Sequence, residues 1–211
     1  MRHETLPDAK STETLEAGQR GDEILSLARQ AFVEKGFDGA SMQDLARAAG
    51  MSAGNFYRYF PSKAALVEAM ITHDLDEVER TFQEIVISPD PLMALKAALR
   101  ERLDYDCEKD HPLWAEIMAT AARKPEVAGL FCRMEEGIVQ RIVQVLAIVS
   151  QTPEDLAMRR FGAYARLIVL IVRGAAMGDV DGGGQKDELN TLILNTIDRL
   201  MDDALAGGED D

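Results

Sequence analysis

The chain has 211 residues, 46% of them apolar and 28% charged, enough to bury one sizeable core or two small ones, which excludes disorder over its whole length. With 23 basic against 37 acidic residues the net charge is −14, so the molecule as a whole is repelled by nucleic acid and by anionic membrane, and on that sum alone a DNA-binding role is a poor guess. No run reaches the roughly 18 uninterrupted apolar residues of a bilayer span, and the N-terminus, with Glu4, Asp8, Glu13 and Glu16, lacks the apolar segment of a secretory signal, so a cytoplasmic location is expected.

The charge is unevenly spread. Residues 1–63 hold 8 basic and 9 acidic side chains, whereas residues 64–211 hold 15 and 28, so the acidity belongs to the last two-thirds. Cys107 and Cys132 show no CxxC spacing and no nearby histidine pair, and read as buried thiols of a reducing compartment. His73 with Asp76 and Glu77 has helical ligand spacing, but on an acidic helix such a group reads as a solvated face. Neither a metal nor a cofactor is expected.

Residues 1–19 mix Pro7, Gly18 and scattered charges without periodicity and read as a flexible tail. Ile24, Leu25, Leu27, Ala28, Ala31 and Phe32 follow at three-and-four spacing, which predicts an amphipathic helix closed at Lys35-Gly36. Ser41 with Asp44 forms a capping box for a short helix ending at Gly50; Ser52 caps a second, closed by Phe60-Pro61; Ser62 caps a longer one running towards Val86. Beyond the break at Ser88-Pro89-Asp90-Pro91, apolar stripes predict helices through Leu92 to Leu103, Leu113 to Ala121 and Leu130 to Val149. Thr152 caps the next, with Pro153 in its first position. That helix is apolar almost all round between Ala163 and Met177, so it needs cover on more than one side. After Gly182-Gly183-Gly184 a last stripe runs from Leu189 to Ala204. The expected fold is all-α, with about nine helices.

Residues 24–60 have the layout of a helix-turn-helix. That motif needs a small residue where two helices cross, a turn residue able to take left-handed backbone, and apolar residues that lock the second helix. Ala46 supplies the first, Gly50 the second, and Leu45, Ala49, Met51, Phe56 and Tyr59 the third. Residues 41–63 also carry Arg47, Arg58 and Lys63 against Asp44 alone, a net of +2 inside an acidic protein. Ser52, Ala53, Gly54 and Asn55 would form the first turn of a recognition helix, small enough for close approach to base edges, and Asn55 can pair with a base or donate to a phosphate. Tyr57, Arg58 and Tyr59 add a phenol, a guanidinium and a phenol. Lys63 falls in the first turn of the next helix, where its ammonium and the free amides can share a phosphate. Phe56 and Phe60 read mainly as core, and Arg47 also fits a solvated helix position.

The run from Gly36-Phe37 through Ser41, Leu45-Ala46, Ala49-Gly50-Met51-Ser52, Phe56-Tyr57, Tyr59-Phe60 and Ser62-Lys63 resembles the DNA-binding signature of the tetracycline-repressor (TetR) family over about residues 20–70. The resemblance implies a helix-turn-helix DNA-binding domain at 20–65, a helical effector-binding and dimerisation domain at 66–206, and an acidic tail at 207–211. By the same resemblance Ser41, Ala53, Asn55, Tyr57, Arg58, Tyr59 and Lys63 match positions that meet DNA. It further implies a homodimeric, ligand-responsive transcriptional regulator, in repressor form released from a pseudo-palindromic double-stranded operator by a small apolar or amphipathic effector. One departure stands out: where many members carry an acidic residue before a glycine in the penultimate helix, this chain has Arg173-Gly174.

Tyr105, Trp114, Met118, Phe131, Met134 and Tyr164 are the expected lining of an effector pocket, since methionine and aromatic side chains make adaptable apolar cavities. Leu167, Ile168, Ile171 and Ala175 in one helix, with Leu192, Thr196, Ile197 and Leu200 in the last, are expected to form a four-helix interface with a second copy. An enzyme is not expected, because the sequence has no G-x-S-x-G, phosphate loop or His-rich metal motif. The alternative is a helical ligand-binding or adaptor protein of the same fold without useful DNA affinity, for which the charge of −14 is the argument.

Overall fold

The computed structural model describes residues 9–104, 111–177 and 186–207. Among them the chain forms nine helices and no strand: α1 Ala9–Gly39, α2 Met42–Ala48, α3 Ala53–Tyr59, α4 Lys63–Ile87, α5 Pro91–Asp104, α6 His111–Ala121, α7 Pro125–Ser150, α8 Glu154–Met177 and α9 Lys186–Ala206. Ser41, Ser52 and Ser62 are the N-caps of α2, α3 and α4, each accepting a backbone N–H three residues on. Local hydrogen-bonding chemistry fixes these boundaries, which is why they are readable from sequence.

Three boundaries differ from expectation. Helical backbone extends back to Ala9, into the stretch expected as a tail. At the other end of α1 the chain leaves helical geometry at Gly36 (φ 72°, ψ 163°) and completes one more turn, closed by the Ala40 amide donating to the Gly36 carbonyl at 3.0 Å. Helix α8 starts at Glu154, and the Thr152 hydroxyl is engaged with Ser150 at 2.7 Å and with Arg160 at 3.1 Å.

The buried side chains form two clusters. The first joins Ala28, Phe32 and Phe37 of α1, Leu45 of α2, Phe56 of α3 and Leu66, Val67 and Met70 of α4 to Leu113 and Ile117 of α6 and Val127 and Leu130 of α7. It therefore runs across the division expected near residue 65, which falls inside α4. The second gathers Ile85, Leu95, Ile142, Leu146, Phe161, Ile168, Ile197 and Met201 from α4, α5, α7, α8 and α9. Helices α4 and α7 contribute to both clusters, so a displacement of either is felt at both ends of the protomer. Each fully buried Leu or Phe adds about 1.5–3 kcal/mol.

Cys132 is exposed, contrary to the expected buried thiol. The inward stripe of α7 passes through Val127, Leu130 and Phe131, and Cys132 lies one residue off it. Cys107 lies outside the described residues. No described helix is long and apolar enough to cross a membrane. Nor do three or more His, Cys, Asp or Glu side chains among the described residues converge as a metal site.

Candidate nucleic-acid interface

The interface is built from α2, α3 and the start of α4. At the head of α2 the Asp44 amide donates to Ser41 Oγ at 3.1 Å, and the Ser41 amide returns a bond to the Asp44 carboxylate at 3.2 Å. The Ser41 hydroxyl donates to the same carboxylate at 2.6 Å, and the Lys35 ammonium pairs with it at 2.9 Å. These bonds, the hydroxyl first and Lys35 second, hold the Asp44 carboxyl well below its ordinary range. Asp44 is thus a fixed anion in the first turn of α2, where the helix dipole favours one. Arg47, 78% exposed, reaches it only at 3.4 Å.

Between α2 and α3 the backbone makes a Schellman turn. Gly50 takes φ 63°, its amide donates to the Arg47 carbonyl at 3.1 Å, and the Met51 amide donates to the Ala46 carbonyl at 2.9 Å. Both bonds satisfy carbonyls that the end of α2 leaves open. Left-handed backbone at this position is the reason for the glycine, since no heavy atom lies within 4 Å of where a Cβ would sit.

Phe56 is fully buried and anchors α3 to the first cluster, its ring 5.3 Å from that of Phe60. At about 100° per residue, Gly54 and Arg58 then lie on the side of α3 opposite Phe56, with Asn55 and Tyr57 flanking them. Gly54, Asn55, Tyr57 and Arg58 are all exposed, Ser52 is exposed, and Ala53 is half-buried. Tyr59, expected among the residues locking the helix, is instead 57% exposed, because the last turn of α3 carries it beyond the core; the Arg58 guanidinium lies 5.3 Å over its ring. The surface thus presents an amide, two phenols and a guanidinium around a glycine.

Lys63 occupies the first position of α4, but its ammonium is turned onto the end of α1. It donates to the Phe37 carbonyl at 2.6 Å and to the Asp38 carbonyl at 3.2 Å, and lies 5.0 Å over the Phe37 ring. The same turn is held from the C-terminal side. The Phe37 amide donates to Glu116 of α6 at 2.8 Å, and Lys124, the N-cap residue of α7, donates to the Asp38 carboxylate at 2.7 Å. Phe37, Asp38, Glu116 and Lys124 are not among the DNA contacts that the sequence points to. Their partners are 79 and 86 positions apart, and no local signal reports such a pairing.

The other expected residues scatter. Trp114, Met118 and Met134 are half-buried against the first cluster beside the buried Phe131, whereas Tyr164 packs against the second; Tyr105 lies outside the described residues. A groove of about 710 Å³ is lined by Met93, Lys96, Ala97, Arg100, Glu101, Leu194 and Asp198 of α5 and α9, and by none of the expected pocket residues. Of the expected interface, Leu167 and Leu192 are 42% and 59% exposed, Thr196 is exposed, and Ile171, Ala175 and Leu200 are half-buried. Ile168 and Ile197 are a correction. They are 0% and 1% exposed within the protomer's own core and are closed to a partner. Arg173 also faces inward, paired with Glu135 of α7 and lying 5.9 Å over the Phe131 ring.

A capped α2, a left-handed glycine turn and a short α3 with a polar outward face define a helix-turn-helix head on a helical body. Residues 24–70 match the family model described as bacterial regulatory proteins, tetR family. The HTH-type transcriptional regulator UidR of Escherichia coli is 29% identical over 158 residues, covering 75% of this chain and 80% of that protein. The HTH-type transcriptional repressor KstR2 of Rhodococcus jostii is 34% identical over 84 residues, 40% of each chain. Salmonella enterica GusR shares the fold at 24% identity, with a TM-score of 0.66 over 87% of this chain and 96% of that one. The head at residues 24–70 therefore matches the tetR family of bacterial regulatory proteins, and the relatives that the chain resembles are named as transcriptional regulators.

Proposed function

We propose that two copies of the chain bind a pseudo-palindromic operator in double-stranded DNA, that a small apolar or amphipathic effector releases them, and that the protein therefore acts as a repressor. Recognition rests on Gly54, Asn55, Tyr57 and Arg58, which lie exposed around the face of α3 opposite the buried Phe56; this observation carries the reading. Ser41, Arg47, Ser52, Ala53, Tyr59 and Lys63 surround it as phosphate and groove contacts.

A homodimer is supported by the leucines that the protomer leaves outside. Leu167 and Leu170 stand three residues apart on α8, and Leu189 and Leu192 three apart on α9, all between 42% and 59% exposed. Trp114, Met118, Phe131 and Met134 on α6 and α7 are the proposed effector contacts, next to the helices that brace the head. In this division the head extends to about residue 65 and the effector and dimer functions occupy residues 66–206.

The net charge, −14 per chain, gives the acidic body a part in selectivity, because it repels any duplex that the small basic surface does not fit. The test is selection of bound duplexes from a random library with the full chain, followed by footprinting. Two protected half-sites about 34 Å apart are expected. An unselected pool with no footprint would favour an adaptor of the same fold.

A further inference from the structure

The turn after Gly36 is where three parts of the molecule meet. Lys63 of α4 hangs on the carbonyls of Phe37 and Asp38 at 2.6 and 3.2 Å. Glu116 of α6 accepts the Phe37 amide at 2.8 Å, and Lys124 grips the Asp38 carboxylate at 2.7 Å, with Arg123 at 3.8 Å. The Phe37 ring carries both ammonium groups, Lys63 at 5.0 Å and Lys124 at 4.7 Å. Two cations 61 positions apart in the chain thus share one ring and one dipeptide, and the Asp38 carboxylate offsets their repulsion.

Neither holdfast is dispensable geometry. Phe37 is 3% exposed and stacks on Phe32 at 5.5 Å, so the turn is seated in the first cluster and does not drift free of α1. Arg29 of α1 donates to the Met70 carbonyl at 3.3 Å and pairs with Asp74, which ties α1 to α4 about two to three turns along the helix from Lys63. The Lys124 hydrogen bond holds the Asp38 carboxyl below its ordinary 3.8, so it remains ionised through the neutral range.

We propose that the Phe37–Asp38 turn is the joint through which the C-terminal helices set the position of Lys63 on DNA, with Glu116 and Lys124 as positioning residues. The proposal rests on the reading of Lys63 as a phosphate contact. To reach a phosphate its ammonium must exchange the two α1 carbonyls for a phosphate oxygen, and how readily it does so depends on where Glu116 and Lys124 hold the turn. Trp114 and Met118 stand two residues either side of Glu116, on the opposite side of α6, so a molecule bound against them acts on this holdfast by displacing the helix as a whole.

The experiment is a double-mutant cycle on affinity for a selected duplex, with salt dependence and thermal midpoint recorded for every variant. In the parent chain Lys63→Met weakens binding and lowers the slope of log K against log salt by about 0.9, the loss of one phosphate contact. In a Lys124→Met background the factor lost through Lys63→Met changes about five-fold or more, the lower end of ordinary coupling between sites. Lys124→Arg, which keeps the charge, restores the parent value. Should Lys124→Met fold poorly, Asp38→Asn, at a 60% exposed side chain, removes the same bridge.

An equal Lys63 factor in both backgrounds would overturn the joint, even if the thermal midpoint falls, because a merely structural role moves stability alone. Amide exchange over residues 36–40 in DNA-free protein is a separate readout. Faster exchange in Lys124→Met than in Lys124→Arg is expected, and no difference overturns the joint without touching the DNA reading. A parent chain that binds no selected duplex overturns the DNA reading, and the proposal with it.

Discussion

Lys63 Nζ stands 2.6 Å from the carbonyl oxygen of Phe37, so the first residue of α4 also closes the end of α1. A side chain expected only as a phosphate contact thus has a structural role in the free protein. Lys63→Ala is expected to lower stability by about 1 kcal/mol, the ordinary net value of such a hydrogen bond, as well as weakening DNA binding. Arg58→Ala, at an exposed position whose nearest polar partner is the Tyr59 hydroxyl at 3.5 Å, is expected to weaken binding with stability unchanged. Urea denaturation alongside duplex binding separates the two.

Gly50 and Gly54 give opposite expectations. Gly50 has φ 63°, so Gly50→Ala forces left-handed backbone on an L-residue and is expected to destabilise by about 1–2 kcal/mol, although nothing within 4 Å obstructs the new methyl group. Gly54 is helical and equally unobstructed. Gly54→Ala is therefore expected to raise stability by up to about 1 kcal/mol while reducing duplex affinity, because the methyl group stands on the reading face. Thermal denaturation and binding of the two variants check this. Equal stability changes would contradict the turn assignment.

The capping box predicts a pH dependence. The Asp44 carboxyl is held below its ordinary 3.8 by the Ser41 hydroxyl and then Lys35. A carboxyl lowered on folding contributes its stability above the unfolded value and loses it as pH falls through the folded one. The stability gap between the parent chain and Asp44→Asn should be constant from about pH 5 to 7 and shrink below about pH 4. Denaturation at a series of pH values measures it. A gap that widens on acidification would contradict the sign.

For the proposed homodimer, Leu167→Lys and Leu192→Lys alter side chains that are 42% and 59% exposed in the protomer. Each should yield a folded monomer by sedimentation, with helical content unchanged. Ile197→Lys, at 1% exposure, should unfold the protomer instead, since it buries an unpaired charge. A dimer that persists in both leucine variants places the interface elsewhere.

What was legible in the sequence follows the range of the interaction. Ser41, Ser52, Ser62 and Gly50 act on groups within five residues, so local rules locate α2, α3 and α4 to within a residue. Ile168 and Ile197 lie in the protomer's own core, which the sequence does not reveal because a helix apolar on nearly all sides does not announce which side faces inward. Cys132 and Tyr59 fell on the wrong side through a one-residue offset in helical phase and a helix end, respectively. The Phe37–Asp38 joint was invisible because Glu116 and Lys124 arrive from 79 and 86 positions away.

Whether the face of α3 and the start of α4 grip DNA is decided by operator affinity across a salt series for the parent chain and for Arg58→Ala with Lys63→Ala. The parent chain should bind a selected duplex with a steep negative slope, about −0.9 for each phosphate engaged, and bind random duplex weakly at moderate salt. The double variant should bind the selected duplex more weakly and with a shallower slope. Equal affinity and equal slope in both proteins would contradict the account.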